Sequence, residues 1–382
     1  MSRQRPRVLL LGDTLNFGGT EGQFAEVACG LDRSRWELDV ACVRAEGVFR
    51  DRLERVGLRP WSLGPASFKS PGLALAILRL AAHLRRQRVR LVHCFDFYSN
   101  IVGVPAARLA RTPAVIASQR DMGDIRHRSQ QLIHSIALRR ATHVLVNSEA
   151  IAARLTHLRA AREGRLGVIH NGVDLTRFAP AAPSANGGQI VTVGTLAMLR
   201  PEKGLTQLVE AAAIVARSAT RARFVIWGEG PLRSQLEARI GTLRLKGIVE
   251  MPGATWTPEK ALKECHIFVL PSLSEACSNV VLEAMATGLP VVGTRVGGTP
   301  ALVEEHRTGL LVPPGDAGEL AQAILRLVES PATATEMGTQ GRRRALAEFG
   351  MERMLERVDA FYCGALGSGH GAPARRPTVQ HA

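Results

Sequence analysis

Short apolar runs alternate with longer amphipathic stretches along the whole chain. The runs have the length and the valine, isoleucine and leucine content of buried parallel strands, and apolar residues at helical spacing follow most of them. In the first half we expect strands near 7–11, 37–43, 91–94, 114–117, 143–146 and 167–170, with helices near 21–29, 48–56, 73–86, 101–109 and 148–158. In the second half we expect strands near 189–193, 223–227, 248–251, 267–270, 291–294 and 310–312, with helices near 204–216, 232–239, 257–264, 279–287, 299–304 and 317–329. The pattern predicts an α/β protein with two doubly wound parallel sheets.

The length also favours two domains, because 382 residues with 46% hydrophobic content exceed one ordinary core. Residues 177–188 are rich in Ala, Pro, Asn and Gly and are interpreted as the linker. We therefore expect a first domain over 1–180 and a second over 181–350. A further helix near 351–363 is expected to pack back on the first domain. The tail over 364–382 has little apolar content and is expected to be disordered.

Cysteine usage and hydropathy favour a cytoplasmic location. The six cysteines are scattered, without a CxxC pair or a nearby histidine at metal-ligand spacing, so neither a disulfide framework nor a zinc site is indicated. The basic N-terminus is followed by an apolar run of only Val8–Leu11, which is a strand rather than a signal peptide. No run approaches the length of a membrane span. A cytoplasmic protein is expected, with peripheral attachment to the inner face of the membrane as a further expectation.

The net charge of +15 is concentrated in the first half of the chain. Residues 1–180 contain 28 Lys and Arg against 15 Asp and Glu, a net of +13, whereas residues 181–382 contain 21 against 19, a net of +2. This asymmetry favours an anionic partner, such as a membrane surface, a pyrophosphate-linked lipid or an acidic glycan. An arginine-biased composition is the alternative, since Lys supplies five of the 49 cations. Aromatic residues are only 4% and no nucleic-acid motif is present, so no nucleic-acid partner is expected.

Two loops that follow predicted strands contain glycines. Ligands of doubly wound sheets bind at the carboxyl ends of the strands, where these loops lie. Gly18 and Gly19 precede a helix and would let backbone amides approach a phosphate, although a plain turn is the alternative. Gly228 begins another loop that permits a tight backbone turn near a ligand.

A third loop carries cations. Arg200 and Lys203 lie in the segment Leu-Arg-Pro-Glu-Lys-Gly just before a predicted helix. A planar guanidinium and a mobile ammonium group suit a diphosphate. A solvated helix cap is the alternative.

The strongest candidate is the segment 271–292, in which a loop leads from a strand into a helix near Asn279. Glu275 precedes this helix and Glu283 lies on it, so the two carboxylates flank a helix N-terminus whose amides favour an anion. Carboxylates accept hydrogen bonds from vicinal hydroxyls, which sugars and ribose present. The segment therefore indicates binding of a phosphorylated sugar or nucleotide.

These motifs together resemble the retaining glycosyltransferases of family 4, which have the GT-B fold of two facing Rossmann-like domains. The likeness covers nearly the whole chain and rests on six motifs in the family's order: Gly18-Gly19, His170 to Asp174, Pro201 to Gly204, Gly228 to Leu232, Glu275-x7-Glu283 with the Ala-Met-Ala-x-Gly-x-Pro-Val-Val that follows, and Gly297-Gly298 through Val312. The resemblance implies a hexosyltransferase that moves a sugar from a nucleotide-sugar donor to an acceptor hydroxyl.

The resemblance also implies roles for individual residues. Glu283 would bind the donor ribose, Glu275 would contact the transferred sugar, and Lys203 would neutralise the diphosphate leaving group. The distal phosphate would meet amides at Ser278, Asn279 and Val280, and the base would lie near 253–255. Gly18 and Gly19 would close over the diphosphate. Members of the family need no metal, so no cofactor is expected.

Two positions depart from the family's pattern. The family often has an arginine where this chain has Met198, so Arg200 would have to reach the phosphates from a shifted place. Many members also have a histidine after a strand of the first domain, where this chain has the segment 118–122. Arg120 or Asp121 is the candidate replacement there, and Arg120 also suits an anionic acceptor.

The sequence therefore predicts a retaining glycosyltransferase acting on a glycan or lipid-linked glycan in polysaccharide or glycolipid synthesis. A non-catalytic sugar-nucleotide-binding protein and a nucleotide-sugar epimerase of the same fold are the alternatives. A phosphorylase is disfavoured because no lysine context for pyridoxal is found. A nicotinamide dehydrogenase is disfavoured because no GxGxxG opens either domain.

Overall fold

A computed structural model describes residues 5–64, 72–124, 126–180, 190–218 and 221–367. Most of the expected linker, from residue 181, and most of the expected tail, from residue 368, lie outside the described residues. The described chain forms two compact units. The first comprises the residues up to Asn147, Ile151–His170 and the segment from Glu352; the second comprises Ser148–Ala150 and Asn171–Met351.

The first unit is built on a seven-stranded parallel sheet in the order β3-β2-β1-β4-β5-β6-β7. Its central strands are buried on both faces, with Leu9, Leu10, Val92 and Ile116 fully inaccessible, as expected for a sheet covered by helices. The elements up to His170 are β1 (Arg7–Gly12), α1 (Gly19–Gly30), β2 (Glu37–Cys42), α2 (Arg50–Arg55), β3 (Trp61–Ser62), α3 (Gly72–Arg86), β4 (Leu91–Cys94), α4 (Phe97–Ala110), β5 (Ala114–Gln119), α5 (Arg128–Arg140), β6 (His143–Val146), α6 (Glu149–Arg154), α7 (Arg159–Arg162) and β7 (Leu166–Val168).

The second unit has a six-stranded parallel sheet in the order β10-β9-β8-β11-β12-β13. Its core joins the inner faces of α8 and α13 to β8, β9 and β11. The remaining elements are β8 (Val191–Leu196), a 3-10 turn (Pro201–Lys203), α8 (Leu205–Arg217), β9 (Ala222–Trp227), α9 (Arg233–Thr242), β10 (Val249–Gly253), α10 (Pro258–Lys263), β11 (Ile267–Leu270), α11 (Asn279–Thr287), β12 (Val291–Thr294), α12 (Thr299–Leu302), β13 (Gly309–Val312), α13 (Ala317–Glu329), α14 (Pro331–Glu348) and α15 (Met351–Ala365).

Both sheets reverse their strand order beside the first strand of the unit, between β1 and β4 and between β8 and β11. In doubly wound sheets the crevice for a ligand opens at this switch point, at the carboxyl ends of the strands. The loops after β8 and β11, which contain Lys203 and Glu275, lie there in the second unit. The expected fold of two Rossmann-like sheets is confirmed.

The last helix, α15, packs on the first unit through buried polar contacts. The hydroxyl of Tyr362, which is fully buried, lies 2.6 Å from Nδ1 of His93, whose Nε2 lies 2.8 Å from the Ser118 hydroxyl. The indole of Trp36 donates to Asp359 at 2.6 Å. Both ring nitrogens of the buried His93 thus have partners, so its place is structural.

The helix α5 was not predicted from the sequence. Its leucine and isoleucine residues 132, 133 and 136 face outward, while its buried side contains His134, Ala137 and Leu138. Because apolar residues lie on both sides of this helix, its sequence does not show the single apolar face that predicts a helix. Within the described ranges, no helix combines the length and the apolar character needed to cross a bilayer.

Candidate active site

An ion pair joins the loops that follow β8 and β11. Nζ of Lys203 donates to Oε2 of Glu275 at 2.7 Å, and the Ser272 hydroxyl lies 3.4 Å from the same oxygen. The side chains of Lys203 and Glu275 are only 26% and 13% exposed. Solvent therefore screens the attraction between these two charges less than it screens that of a surface ion pair. The structure therefore brings together two of the three residues that the sequence predicted as catalytic.

Backbone contacts fix the two loops against each other around this pair. The amides of Leu273 and Ser274 donate to the Glu202 carbonyl at 2.8 and 3.4 Å. Gly204 has φ of +63°, and a Cβ at this position would lie 1.9 Å from the Pro271 carbonyl oxygen. The glycine therefore serves both a left-handed turn and a close approach of two backbones.

The end of β12 and the loop that follows it anchor the segment that contains Glu275. The amide of Gly298 donates to the Glu275 carbonyl at 3.2 Å, and a Cβ on Gly298 would lie 1.8 Å from the Ala276 carbonyl oxygen. The Thr294 hydroxyl donates to the Ser272 carbonyl at 2.5 Å. The carboxylate of Glu275 is thus carried by a backbone held from several sides.

The helix α11 begins at Asn279, as the sequence predicted, with Ser278 as its N-cap. The first hydrogen bond of the helix is donated by the Leu282 amide to the Ser278 carbonyl. The amides of the first turn, including that of Val280, therefore point out of the helix end. Asn171, which is buried, donates from Nδ2 to the Cys277 carbonyl at 3.1 Å and to Oδ1 of Asn279 at 2.5 Å. The sequence motif from His170 to Asp174 includes Asn171 but predicts no contact for it. Only the fold shows that Asn171 supports this helix end.

Glu283 lies on α11 beside an ion pair that sequence reasoning missed, Arg177 with Glu259 at 2.8 Å. Burial raises the pKa of the Glu283 carboxyl to about 7, with the Arg177 charge opposing the shift and the Glu259 charge adding to it. No described residue donates a hydrogen bond to this carboxylate. Because the unfolded chain releases this proton at lower pH, the Glu283 contribution to stability falls as pH rises from 4.5 towards about 7. Hydroxyl donors from a ligand would stabilise the ionised form.

The glycines at 228 and 230 mainly serve contact between loops of the protein. A Cβ on Gly228 would lie 1.8 Å from the Ala197 carbonyl oxygen, and one on Gly230 would lie 2.6 Å from the Leu199 carbonyl oxygen. The amide of Leu199 donates to the Glu229 carbonyl at 2.9 Å. The amide of Gly228 also bonds the Gly253 carbonyl at 2.8 Å, where the sequence expected the base. This loop therefore braces the end of β8 before the segment with Lys203.

Arg200 is not brought to the ion pair. It is exposed at the start of the 3-10 turn, where its carbonyl accepts from the Lys203 amide at 3.0 Å. Among the described residues, its side chain makes no ion pair or hydrogen bond to another candidate. Met198, two residues earlier, is also exposed. The structure thus gives Arg200 a backbone role next to Lys203 and no side-chain contact with Glu275.

In the first unit, Gly18 is the N-cap of α1 and Gly19 is its first residue. Gly18 has extended backbone, and the nearest obstacle to a Cβ is the flexible Glu21 side chain. Sequence reasoning missed two acids near this helix, Asp13 and Asp96; the Asp13 amide donates to Asp96 at 2.8 Å. Burial, and then the charge of Asp96, raises the pKa of Asp13 to about 6.

The two candidates on the acceptor side have partners within the first unit. The guanidinium of Arg120 lies 5.4 Å from the centre of the Phe95 ring. Asp121 pairs with Arg126 at 2.5 Å, and that arginine also stacks on Phe97 at 4.8 Å. Arg120 and Asp121 follow β5 at the carboxyl edge of its sheet. They share that edge, but their charges are directed to different neighbours.

The second unit therefore combines a lysine, a helix end and two carboxylates at the carboxyl edge of its sheet. Cations and free amides attract phosphate oxygens, and carboxylates accept from sugar hydroxyls. Within the described part of the chain, His, Cys, Asp and Glu form no group of three that could hold a metal ion.

Two family models match the chain. One described as Glycosyltransferase Family 4 matches residues 17–177, and one described as Glycosyl transferases group 1 matches residues 187–330. A D-inositol 3-phosphate glycosyltransferase of Arthrobacter is 30% identical over 289 residues, which span 70% of this chain and 68% of the relative.

A further relative and a solved structure agree with this match. The putative colanic acid biosynthesis glycosyltransferase WcaL of Escherichia coli is 33% identical over 247 residues, and the match spans 58% of each protein, less than two thirds of WcaL. The crystal structure of HepE from Anabaena in complex with UDP has a TM-score of 0.81 at 22% identity, covering 94% of this chain and 100% of HepE. The same protein has been solved with UDP-glucose. At this identity the likeness shows the fold.

Replacing Gly204 should disrupt the contact between the two loops. We expect Gly204→Ala to destabilise the protein by more than about 2 kcal/mol, because the methyl group meets the Pro271 carbonyl and the backbone is left-handed. Gly241→Ala is the matched control, since it lies in α9 with no atom within 4 Å of its Cβ and should stabilise by up to about 1 kcal/mol. Calorimetric melting measures both, and an unchanged melting temperature for Gly204→Ala would show that the loops do not approach this closely.

Proposed function

Because the chain belongs to glycosyltransferase family 4, we propose that it transfers a hexose from a nucleotide-sugar donor to an acceptor hydroxyl with retention of the anomeric configuration. The observation that carries the proposal is the Lys203–Glu275 ion pair beside the N-terminus of α11. A lysine and a set of helix amides at one edge of the sheet are what a diphosphate leaving group requires.

The donor binds along the second unit in this proposal. Its diphosphate meets Lys203 and the amides around Ser278, Asn279 and Val280. The ribose hydroxyls donate to Glu283, and the transferred sugar lies beside Glu275. HepE was solved with UDP and with UDP-glucose, which makes a uridine donor the first to test here.

In the transfer step, the bond from the anomeric carbon to the leaving phosphate oxygen breaks while a bond to the acceptor oxygen forms on the same face of the sugar. The acceptor proton passes to the leaving phosphate. Lys203 and the amides of α11 offset the negative charge that grows on the diphosphate, and no metal ion is required. Lys203, Glu275, Glu283 and the amides of α11 form no covalent bond with the sugar in this step.

The acceptor is a glycan or lipid-linked glycan in polysaccharide or glycolipid synthesis in this proposal. The family relative WcaL is named for colanic acid biosynthesis. The excess of cations in the first half of the chain suits an anionic or pyrophosphate-linked acceptor, and Arg120 and Asp121 are the acceptor-side candidates. The reaction is placed in the cytoplasm.

The direct test is a comparison of UDP-, GDP- and ADP-sugars by thermal stabilisation and by release of nucleoside diphosphate, with and without EDTA. One donor class should raise the melting temperature and be turned over, and EDTA should leave turnover unchanged.

Lys203→Ala should lower kcat by roughly a hundredfold or more, because it removes charge at the leaving group. Lys263→Ala, on the exposed side of α10, is the matched control and should be normal. Stabilisation by none of the three nucleotides would overturn the proposal.

Donor affinity should depend on pH through Glu283. The ionised carboxylate accepts two hydroxyl hydrogen bonds, so raising the pH from about 6 to about 8 should tighten binding of UDP-glucose by up to roughly tenfold as the group with a pKa of about 7 ionises. Glu283→Gln should bind weakly and without this pH dependence, whereas the exposed Glu264→Gln should behave as the native protein. Calorimetric titration measures each affinity. An equal pH dependence in Glu283→Gln would assign it to another group.

A further inference from the structure

Most of the net positive charge of the chain lies in one segment. Residues 55–148 contain 15 Lys and Arg and only three acids, all aspartates, a net of +12; the rest of the chain accounts for the remaining +3 of the total of +15. The three aspartates are already engaged: Asp96 bonds the Asp13 and Ser99 amides, Asp121 pairs with Arg126, and Asp124 pairs with Arg154. The other cations of the segment therefore have no acid of their own segment to neutralise them.

The fold gathers this charge on one face of the first sheet. The connections β3 to β4, β4 to β5 and β5 to β6 all run in the same direction across the sheet, so right-handed crossovers place α3, α4 and α5 on one face. The helix α3 packs against α4, and α4 packs against α5. Ten arginines in these helices and in the connections that follow them are exposed. None of the ten makes an ion pair with a described carboxylate.

The same helices also expose large apolar side chains. Six of the nine exposed leucine and isoleucine residues in the described chain lie on α3, α4 and α5: Leu75 (48%), Leu78 (58%), Leu109 (48%), Leu132 (64%), Ile133 (43%) and Ile136 (51%). Isolated exposed apolar residues are ordinary, but six on three adjacent helices are not. We call the outer surface of α3, α4 and α5, with these six residues and the ten arginines, the basic helical face.

The pattern is clearest on α5. At 100° per residue, Leu132, Ile133 and Ile136 share the outward side of the helix, with Arg128, Arg139 and Arg140 beside them. Residues 125–148 include no Asp or Glu. A helix with apolar and cationic residues on its free side is typical of helices that lie in the interface of an anionic membrane.

We infer that the basic helical face docks on an anionic lipid bilayer, with the leucine and isoleucine side chains in the headgroup boundary and the arginines at lipid phosphates. Each cation near such a surface strengthens binding, and apolar insertion adds to it. A second copy of the chain is a poorer occupant because ten arginines on each copy would repel. Nucleic acid is also a poorer occupant because the leucine and isoleucine side chains offer its bases no stacking surface. The inference does not rest on the proposed reaction, although a bilayer would also present a lipid-linked acceptor.

Vesicle co-sedimentation of the full chain, without donor, tests the inference. The protein should sediment with vesicles of equal parts phosphatidylcholine and phosphatidylglycerol, weakly with phosphatidylcholine alone, and less at high ionic strength. The triple variant Leu132→Ser, Ile133→Ser, Ile136→Ser should lower the partition coefficient by roughly a hundredfold. Arg139→Gln with Arg140→Gln should lower it by roughly fivefold for each charge. Since all five side chains are exposed, the melting temperatures of both variants should stay near that of the native protein.

A matched control lies on α14 of the second unit. Arg343 and Leu346 are also an exposed arginine and leucine, so Arg343→Gln with Leu346→Ser should leave partitioning within about twofold of native. Absence of sedimentation with anionic vesicles would overturn the inference. A loss of vesicle partitioning in the α14 control as large as that in the α5 variants would also overturn it. A dimer in solution that the α5 triple variant returns to monomer would assign the face to a second copy instead. Loss of nucleotide-sugar turnover with vesicle binding retained would count only against the proposed reaction.

Discussion

The contact between Lys203 and Glu275 is the constraint on which the rest of the site depends. A mobile ammonium group would otherwise be free in solvent, and a carboxylate of low exposure would otherwise lack a counter-charge. Holding them 2.7 Å apart requires two loops to meet at backbone distance. Gly204 and Gly298 make that meeting possible, because any side chain there would strike a carbonyl oxygen. The glycines of these motifs therefore serve the positions of the charges.

Glu283 and the Lys203–Glu275 pair show two ways of keeping a carboxylate available for a ligand. Glu275 lies beside the Lys203 ammonium group, which a diphosphate can draw to itself when the donor binds. Glu283 has no hydrogen-bond donor among the described residues, and burial raises its pKa to about 7. In the proposed complex, ribose hydroxyls supply the missing donors. In the free protein, the Arg177 charge offsets only part of the cost of burying this acid.

The sequence predicts most of the strands because their apolar runs are local, and it predicts that α11 covers 279–287, as the structure has it. It identifies Lys203 and Glu275 singly from loops after strands, but not their contact, which joins residues 72 positions apart. Asn171 and the brace formed by Gly228 likewise depend on distant backbone. The helix α5 was missed because its apolar residues lie on both sides, with Leu132, Ile133 and Ile136 exposed and Ala137 and Leu138 buried, so no single apolar face stands out. The same outward-facing residues, Leu132, Ile133 and Ile136, are those on which the inferred lipid-docking face depends.

The most direct test of the central claim is a double-mutant cycle on Lys203→Met and Glu275→Gln, read as kcat/KM for the nucleotide sugar that is turned over. If the two residues act as one unit, the double variant should lose about as much as Lys203→Met alone, with a coupling energy of at least about 1 kcal/mol. Losses that add independently would contradict the account, because they would show that the pair seen in the structure does not position the lysine for the reaction.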